Sequence, residues 1–580
     1  MITALHGAEI AITPDDPVSV QRGIDAAAKS GAKKVVVPPG TYRLTAPPRE
    51  RFCLKFIDLK DLEIEATGVT FLLMDPNKGG IEFGRCANVT LRGATLRHEI
   101  VPFTQAAIEA IAPDGKSFDL RIAKGYPANL DDPKFFRADN TGYVFDPLTR
   151  QWKTGTYDLG VKKLERLGPD LFRVFWNGPA GPPKQPVAVG DLMAFRGNGV
   201  TDIYVGGCTG MNITGVSILS GGGFCIHEDG GEGGSHFSYT VSYGPKPDGA
   251  TETPLIACNA DAFHSGGVRK GPTLENCLFE GMPDDGVPIH GYYGLVVEAK
   301  ENTLVLTEGR WQPGDPLRLF SPDGGLAGEA IVKTVQPLPQ YKTEAKSKNR
   351  AFGDLAKKHF IQITLDAPVD AGMDFLASNP NAMGSGFVVR NCVIRNHRAR
   401  GMLLKADNGL VEGNTVDGST IAGIVIAPEL WWNEACYSRH VIVRNNTIKH
   451  VGYATVGPWT DQYGAITLTA AAKETSRPGH EDILIENNTI ENCDGVNLLI
   501  AAAKNVIVKN NRFVGAQRAP TRRGADHADP TALIWLSSCE NVSLQGNTLS
   551  ARGAAGGEVI HLAPSAKNVS GAQDGIVSAP

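Results

Sequence analysis

Two short segments carry most of the chemistry in this sequence. Asn259-Ala260-Asp261-Ala262-Phe263-His264 is followed by Met282-Pro283-Asp284-Asp285-Gly286-Val287-Pro288-Ile289-His290-Gly291, with Asp284 lying 23 residues after Asp261. If that interval is one turn of a solenoid, the three aspartates meet on one face, on strands about 4.8 Å apart. Carboxyl groups so crowded repel one another, and at least one should keep its proton near neutral pH. Glycosidic bond hydrolysis asks for that pairing of a protonated acid with an ionised carboxylate. In the inverting form the two stand roughly 6.5–9.5 Å apart, a separation that a one-coil step with some side-chain splay is expected to supply. A calcium site, or aspartates that cap turns, are the competing readings. Acid density, coil spacing and the neighbouring His264 and His290 together favour catalysis by Asp261, Asp284 and Asp285.

Other residues can be placed around that trio. His227, in Cys225-Ile226-His227-Glu228-Asp229, falls on an earlier coil and is a weaker candidate. Arg398, Arg400 and Lys405 fall on a later one, in Arg398-Ala399-Arg400-Gly401-Met402-Leu403-Leu404-Lys405. Cations beside an acid cluster hold sugar hydroxyls and tune carboxyl pKa values, although for any one of them structural charge pairing is an equal alternative. Glu434 follows in the loop Trp431-Trp432-Asn433-Glu434. One of the two tryptophans is expected to pack and the other, taken as Trp432, to face a sugar. His227, His264, His290, Arg398, Arg400, Lys405, Trp432 and Glu434 are therefore the candidate substrate contacts.

The elements that must position these residues are legible in a repeat. Its form is hydrophobic-x-hydrophobic-x-x-Asn-x-hydrophobic, as in Val441-Ile442-Val443-Arg444-Asn445-Asn446-Thr447-Ile448, Ile483-Leu484-Ile485-Glu486-Asn487-Asn488-Thr489-Ile490 and Val506-Ile507-Val508-Lys509-Asn510-Asn511-Arg512-Phe513. Both Asn391 to Asn414 and Asn488 to Asn511 span 23 residues. Period-2 alternation at such a repeat length predicts the coils of a parallel β-helix. Asn suits the turns because it tolerates left-handed backbone angles and can ladder. Its recurrence at the repeat register favours that structural role over glycosylation at Asn-x-Thr. Longer intervals, holding Trp431–Glu434 and Trp459–Tyr463, predict surface loops.

The fold class predicted is all-β: a right-handed parallel β-helix with two small inserted antiparallel β-domains. A helix at residues 18–30 is expected to cap the first coil. The division predicted is an N-terminal cap and first coils at 1–99, an inserted β-domain at 100–197, helix with the catalytic coils at 198–292, a second insert at 293–378, and C-terminal coils at 379–580. Residues 341–358 are expected to form an exposed charged loop.

Composition agrees and excludes other classes. The 580 residues are 42% hydrophobic, 21% charged and rich in Gly (67), and the net charge of −5 gives no electrostatic case for nucleic acid or an anionic membrane. No apolar stretch is long enough for a transmembrane helix. The start at Met1–His6 lacks the pattern of a signal peptide, so cytoplasmic location and export after removal of a leader both stay open. The ten cysteines form no Cys-x-x-Cys pair, which predicts buried small side chains rather than a metal cluster, with disulfides open if the protein is exported. No cofactor or metal is expected. The partner expected is a carbohydrate, and a homodimer is an open alternative to a monomer.

The run from Asn259 to Gly291 resembles glycoside hydrolase family 110, the α-1,3-galactosidases. The resemblance is carried by Ala260-Asp261-Ala262-Phe263-His264, Glu275-Asn276-Cys277-Leu278-Phe279, Asp284-Asp285 and His290-Gly291. Arg398-Ala399-Arg400-Gly401 and the Trp432-Asn433-Glu434 loop are similar to that family too, and the likeness is clear over about residues 200–450. It implies a metal-independent, inverting hydrolase that removes a terminal α-galactosyl residue, with the family's three active-site aspartates at Asp261, Asp284 and Asp285. Pro288 departs from the family's Asn two residues before the His, which puts the sugar or linkage in doubt. Polygalacturonase-like hydrolysis, polysaccharide lyase chemistry and a non-enzymatic glycan-binding β-helix are the alternatives. The third polygalacturonase motif is missing, and a lyase would need a free Lys or Arg base and commonly Ca²⁺.

Overall fold

The computed structural model describes residues 11–136, 141–178, 185–307, 309–454, 464–470, 478–520 and 531–578. Met1–His6 and the Trp459–Tyr463 loop lie outside the described residues. The protein is all-β, a right-handed parallel β-helix whose coils stack through parallel ladders. The helix Ser19–Lys29 covers the first coil with Val20 and Ile24 buried. It presents these residues because apolar positions recur at helical spacing along one face.

Each coil contributes short strands in which every second side chain points inward. One stack of strands carries the site. In it Ile203 pairs with Ile226 and Ile226 with Phe263, then Val287 pairs with Met402 and Met402 with Ile424. All of these side chains are fully buried in a single continuous core. The outward residues between them are the ones free for chemistry.

The Asn-Asn pairs divide two tasks. The first Asn of each pair takes a left-handed backbone, with φ of 58° at Asn445, 55° at Asn487 and 56° at Asn510, a conformation Asn tolerates better than most residues. The second Asn turns inward and forms a ladder. The amide of Asn446 donates to Asn488 Oδ1, that of Asn488 to Asn511 Oδ1, each at 2.9 Å, and that of Asn511 to Asn547 Oδ1 at 3.0 Å. Each Oδ1 also accepts the main-chain N–H of the preceding coil's Asn at 3.0 Å. The register differs by one residue from a simple match of Asn391 to Asn414, because Cys392 is the residue whose N–H reaches Asn414 Oδ1. Asn391, with φ of 55°, makes the turn instead. All ten cysteines are buried and unpaired, as a stack of small inward side chains requires.

Two antiparallel units interrupt the coils without breaking their stacking. Strands Phe103–Ile111, Ser117–Ile122, Leu171–Trp176, Leu159–Arg166, Thr141–Phe145 and Leu192–Arg196 close into a barrel. The chain then returns so that Ile203 pairs with Ile81, next to the coil it left. The barrel's aromatic core includes Phe118, Phe172, Trp176 and Phe195, and it packs on Leu255 and Ile256 of the helix, just before Asp261. The second unit grows directly out of a coil. Strand Val287–Lys300 starts in the parallel ladder and runs on into antiparallel pairing with Thr303–Thr307. Val388 then pairs with Thr273, and the helix resumes. The 341–358 loop is less free than its composition predicts, since Phe352 and Leu355 pin its two short turns into the core.

Replacing Asn488 with Ala would leave the main-chain and side-chain N–H donors of Asn446 buried without an acceptor. The expected loss is about 3 kcal/mol or more, from about 1–3 kcal/mol for each orphaned donor, read from denaturant unfolding. A change below about 0.5 kcal/mol, the level of an ordinary surface substitution, would refute the ladder's role.

Candidate active site

The candidate residues sit at the entry to the site stack and along its outward face. Asp261 precedes strand Phe263–Gly266, Asp284 and Asp285 precede Val287–Lys300, and Arg398 precedes Arg400–Leu404. The pairing of Ser265 with Ile289 makes Asp285, rather than Asp284, the coil mate of Asp261. The Asp285 N–H donates to Asp261 Oδ1 at 3.1 Å. Asp261, Asp284 and Asp285 bring carboxylate oxygens within 4.8 Å of one another. That is closer than the roughly 6.5–9.5 Å expected for an inverting pair, because the Asp285 N–H holds the Asp261 carboxylate along the ladder instead of letting it splay.

The three carboxyls are held differently. Burial pushes Asp284 up, but Arg398 and Arg196 more than offset this and leave it below the usual carboxylate range. Arg398 Nη1 reaches Asp284 Oδ1 at 2.7 Å and Arg196 Nη1 reaches Oδ2 at 2.8 Å. Arg398 is in turn fixed by Asp158 of the barrel at 2.7 Å. Asp285 accepts the Arg400 N–H at 2.9 Å and its guanidinium at 2.6 Å. Burial still raises it to about 6, opposed by Arg400 and assisted by the charge of Asp284. Asp261 is pushed up to about 7, chiefly by burial, against its hydrogen bond to His264.

The histidines fix where a proton can reside. His290 Nδ1 lies 2.7 Å from the Gly291 carbonyl, which can only accept, so this nitrogen carries the hydrogen. Burial lowers His290 to about 4 and keeps it neutral, which makes its Nε2 an acceptor. His264 Nε2, 2.9 Å away, must therefore donate. The remaining nitrogen, His264 Nδ1, faces Asp261 Oδ2 at 2.7 Å. A single proton then belongs to the Asp261–His264 pair. His264 is raised because Asp261 outweighs the burial that would lower it.

Lys405 and Glu434 complete the arrangement. Lys405 is fully buried, with Nζ 2.5 Å from Glu434 and 3.2 Å from Glu429. Burial works against its charge, and the two carboxylates more than restore it. Glu429 also lies 3.5 Å from Arg400, and Glu434 lies 3.9 Å from His290 Nε2. These contacts trace a circuit from Glu434 through Lys405, Glu429, Arg400, Asp285, Asp261 and His264 to His290, open between His290 Nε2 and Glu434, two acceptors 3.9 Å apart. Two sets of donors converge as a divalent cation would need, the three aspartates and the group His264, His290 and Glu434. The positive charge such an ion would bring is already supplied by Arg196, Arg398 and Arg400 in one set and by Lys405 in the other.

His227 pairs with His264 across the ladder and meets it edge-on at 5.2 Å, beneath Phe224. Trp432 stands 68% exposed and Trp431 is half-buried. Four participants escaped the sequence: Arg196 and Asp158 from the barrel, Glu429, and Arg310 from the second insert. Arg310 Nη2 binds Asp229 at 2.7 Å, next to the hydroxyls of Tyr204 and Tyr292. No motif marks them, since each is brought in by an insertion or a bend rather than by the repeat. Glu429 had one signal: it is an acid next to the Trp-rich loop, where Glu434 was already a candidate.

Residues 371–458 match the family model described as a right-handed β-helix region. The chain is 25% identical to α-1,3-galactosidase B of Akkermansia muciniphila over 81% of its length, although it spans only 59% of that relative. It is 21% identical to α-1,3-galactosidase B of Bacteroides thetaiotaomicron over 93% of this chain and 90% of the other, and 25% identical to that of Phocaeicola vulgatus over 84% and 83%. This is a family 110-like β-helix protein. Among solved structures the family 110-like chain is similar to the catalytic unit of an α-1,3-glucanase from Streptomyces thermodiastaticus, with 12% identity, TM-score 0.45 and coverage of 99% and 67%.

Asp261 is raised on folding, so ionising it opposes the folded state. That penalty is absent below its unfolded value near 3.8 and complete above about 7. Asp261→Asn should therefore raise Tm at pH 8 by several degrees and leave it nearly unchanged at pH 4. An equal effect at both values would contradict a buried, proton-holding Asp261.

Proposed function

We propose that this protein is an exo-acting, inverting glycoside hydrolase that releases a terminal α-linked galactose. The observation that carries this is a buried trio of aspartates with oxygens within 4.8 Å of one another, each given a different partner: two guanidiniums on Asp284, one on Asp285 and an imidazole on Asp261. Asp261, sharing a proton with His264, serves as general acid to the leaving oxygen. Asp285, raised to about 6, serves as base near neutral pH, where a base is most effective. Asp284, held ionised by Arg398 and Arg196, stabilises positive charge that develops on the sugar. The names of the similar proteins, α-1,3-galactosidases at 21–25% identity, support a glycosidase and are the source of the α-galactosyl reading.

Inversion is supported by how the carboxylates are spaced. A water held by two carboxylates at once spans about 4.5 Å between their oxygens, given hydrogen bonds of about 2.8 Å. The trio's oxygens, within 4.8 Å, fit such a water. Exo-action is supported by the walls: the barrel delivers Arg196 and Asp158 on one side, and the second insert delivers Arg310 on another. Lyase chemistry is disfavoured because Lys405, the buried amine, is locked between Glu429 and Glu434.

The test is hydrolysis of α-1,3-galactobiose in EDTA, with the first anomer followed by NMR. The expected product is β-galactose, formed equally with and without EDTA. Asp261→Asn and Asp285→Asn should each lower kcat by about 10³-fold. Appearance of α-galactose first would overturn inversion, and loss of activity in EDTA would overturn the metal-free assignment. In addition, kcat/KM should trace a bell, rising as Asp285 deprotonates through about 6 and falling as the Asp261–His264 pair deprotonates through about 7. A rate that keeps climbing above pH 8 would remove Asp261 from the acid role.

A further inference from the structure

Residues 342–358 hold six basic side chains, Lys342, Lys346, Lys348, Arg350, Lys357 and Lys358, against two acids, Glu344 and Asp354. In a chain of net charge −5 this local excess stands out, and the circuit of the candidate active site uses none of it. The fold places the segment at the site's edge. Its turn Arg350–Phe352 packs on the turn Leu430–Trp432, and Asn349 Nδ2 donates to the Leu430 carbonyl at 3.5 Å. Buried Phe352 and Leu355 anchor it, so the charges are held at a fixed position rather than on a free tether.

Beneath the segment is a cavity of about 470 Å³, within the range of small-ligand sites. Tyr292 and Asn433 connect it to the active site: the Tyr292 ring meets His290 edge-on at 5.0 Å, and Asn433 precedes Glu434. The wall carries Arg310, Lys357, Lys358 and His359, and among the described residues no carboxylate lines it. Arg310 is neutralised by Asp229. Lys357 has only an exposed partner, Asp354, at 3.4 Å. Lys358 adds positive charge at the same wall. Trp311, largely buried, and Tyr292, whose ring carries the Arg310 guanidinium at 5.3 Å, form the aromatic part of the lining.

We infer that this cavity, lined by Tyr292, Trp311, Lys357, Lys358 and His359, receives the leaving-group part of the substrate, and that this part is an anionic saccharide bearing a sulfate ester or a uronate carboxylate. The inference rests on the hydrolase reading above. It adds that the sugar released is neutral and the acceptor left behind is charged. Lys357 and Lys358 stand side by side at this wall with only the exposed Asp354 to offset them among the described residues, so part of their mutual repulsion remains. An anion relieves that repulsion and gains charge-assisted hydrogen bonds.

The experiment compares three disaccharides on the intact protein: α-1,3-galactobiose, the same compound sulfated on its reducing-end sugar, and the same linkage to galacturonic acid. Wild type should favour one or both anionic forms in kcat/KM by about tenfold at low salt, two exposed charge contacts each contributing up to about fivefold. The sulfate and uronate arms identify which anion the wall prefers. The preference should reside mainly in KM and should collapse at about 0.5 M salt, where charges more than a few ångströms apart are screened. In the Lys357→Ala/Lys358→Ala double variant, altered only at exposed positions, the ratio of anionic to neutral kcat/KM should fall to near one. Equal turnover of all three by wild type, or a preference that survives in the double variant, would overturn this inference and leave the hydrolase reading standing. No turnover of any of the three would overturn the hydrolase reading and this one with it.

Discussion

Burying three carboxylates with oxygens inside 4.8 Å of one another is the constraint that the rest of the site answers. Removing even one carboxylate from water without a partner is so unfavourable that the group normally takes up a proton. Here the answer is graded. Two guanidiniums keep Asp284 charged, one partly compensates Asp285, and Asp261 receives only an imidazole. The gradient of cation supply sets the gradient of protonation. It follows that the arginines of the following coil and the barrel determine the chemistry as directly as the aspartates do.

The architecture explains how those cations arrive. A bare β-helix offers a flat face, and its repeat can place residues only above or below one another. Arg400 and Lys405 come that way, one strand on from Asp285 and His290. Arg196 and Asp158 cannot, because they need a second body standing on the helix beside Asp261. The barrel's core continues into Leu255 and Ile256, so its attachment and the placement of Arg196 are one packing event. The second insert grows from the strand that carries His290, which makes Tyr292 and Arg310 direct extensions of the site.

What could be read in the sequence follows the same division. Coil repeats, the helical cap, the acid trio and the partners on neighbouring coils were legible because a solenoid turns sequence interval into spatial adjacency. The 23-residue interval from Asp261 to Asp284 falls one residue short of the coil that joins Asp261 to Asp285, because coil length varies. This stretch advances 24 residues per coil, from Ser265 to Ile289, whereas Val388 to Leu410 advances 22. Arg196, Asp158 and Arg310 were not legible, since antiparallel inserts carry no repeat that relates them to the helix. Glu429 looked like one of many acids until Lys405 and Arg400 were seen beside it.

The circuit also explains why two histidines and two glutamates accompany chemistry that three aspartates could perform. A lone Asp261–Asp285 contact would titrate as a symmetric pair, with the proton on either group. The Gly291 carbonyl orients His290, His290 orients His264, and His264 directs the shared proton to Asp261 Oδ2. On the other side Arg400 draws negative charge towards Asp285, and Glu429 and Lys405 hold that arginine in place. Each half biases one member of the pair in the opposite sense. On the proposed reading, the acid and the base come from two residues of the same kind, joined by the Asp285 N–H to Asp261 Oδ1.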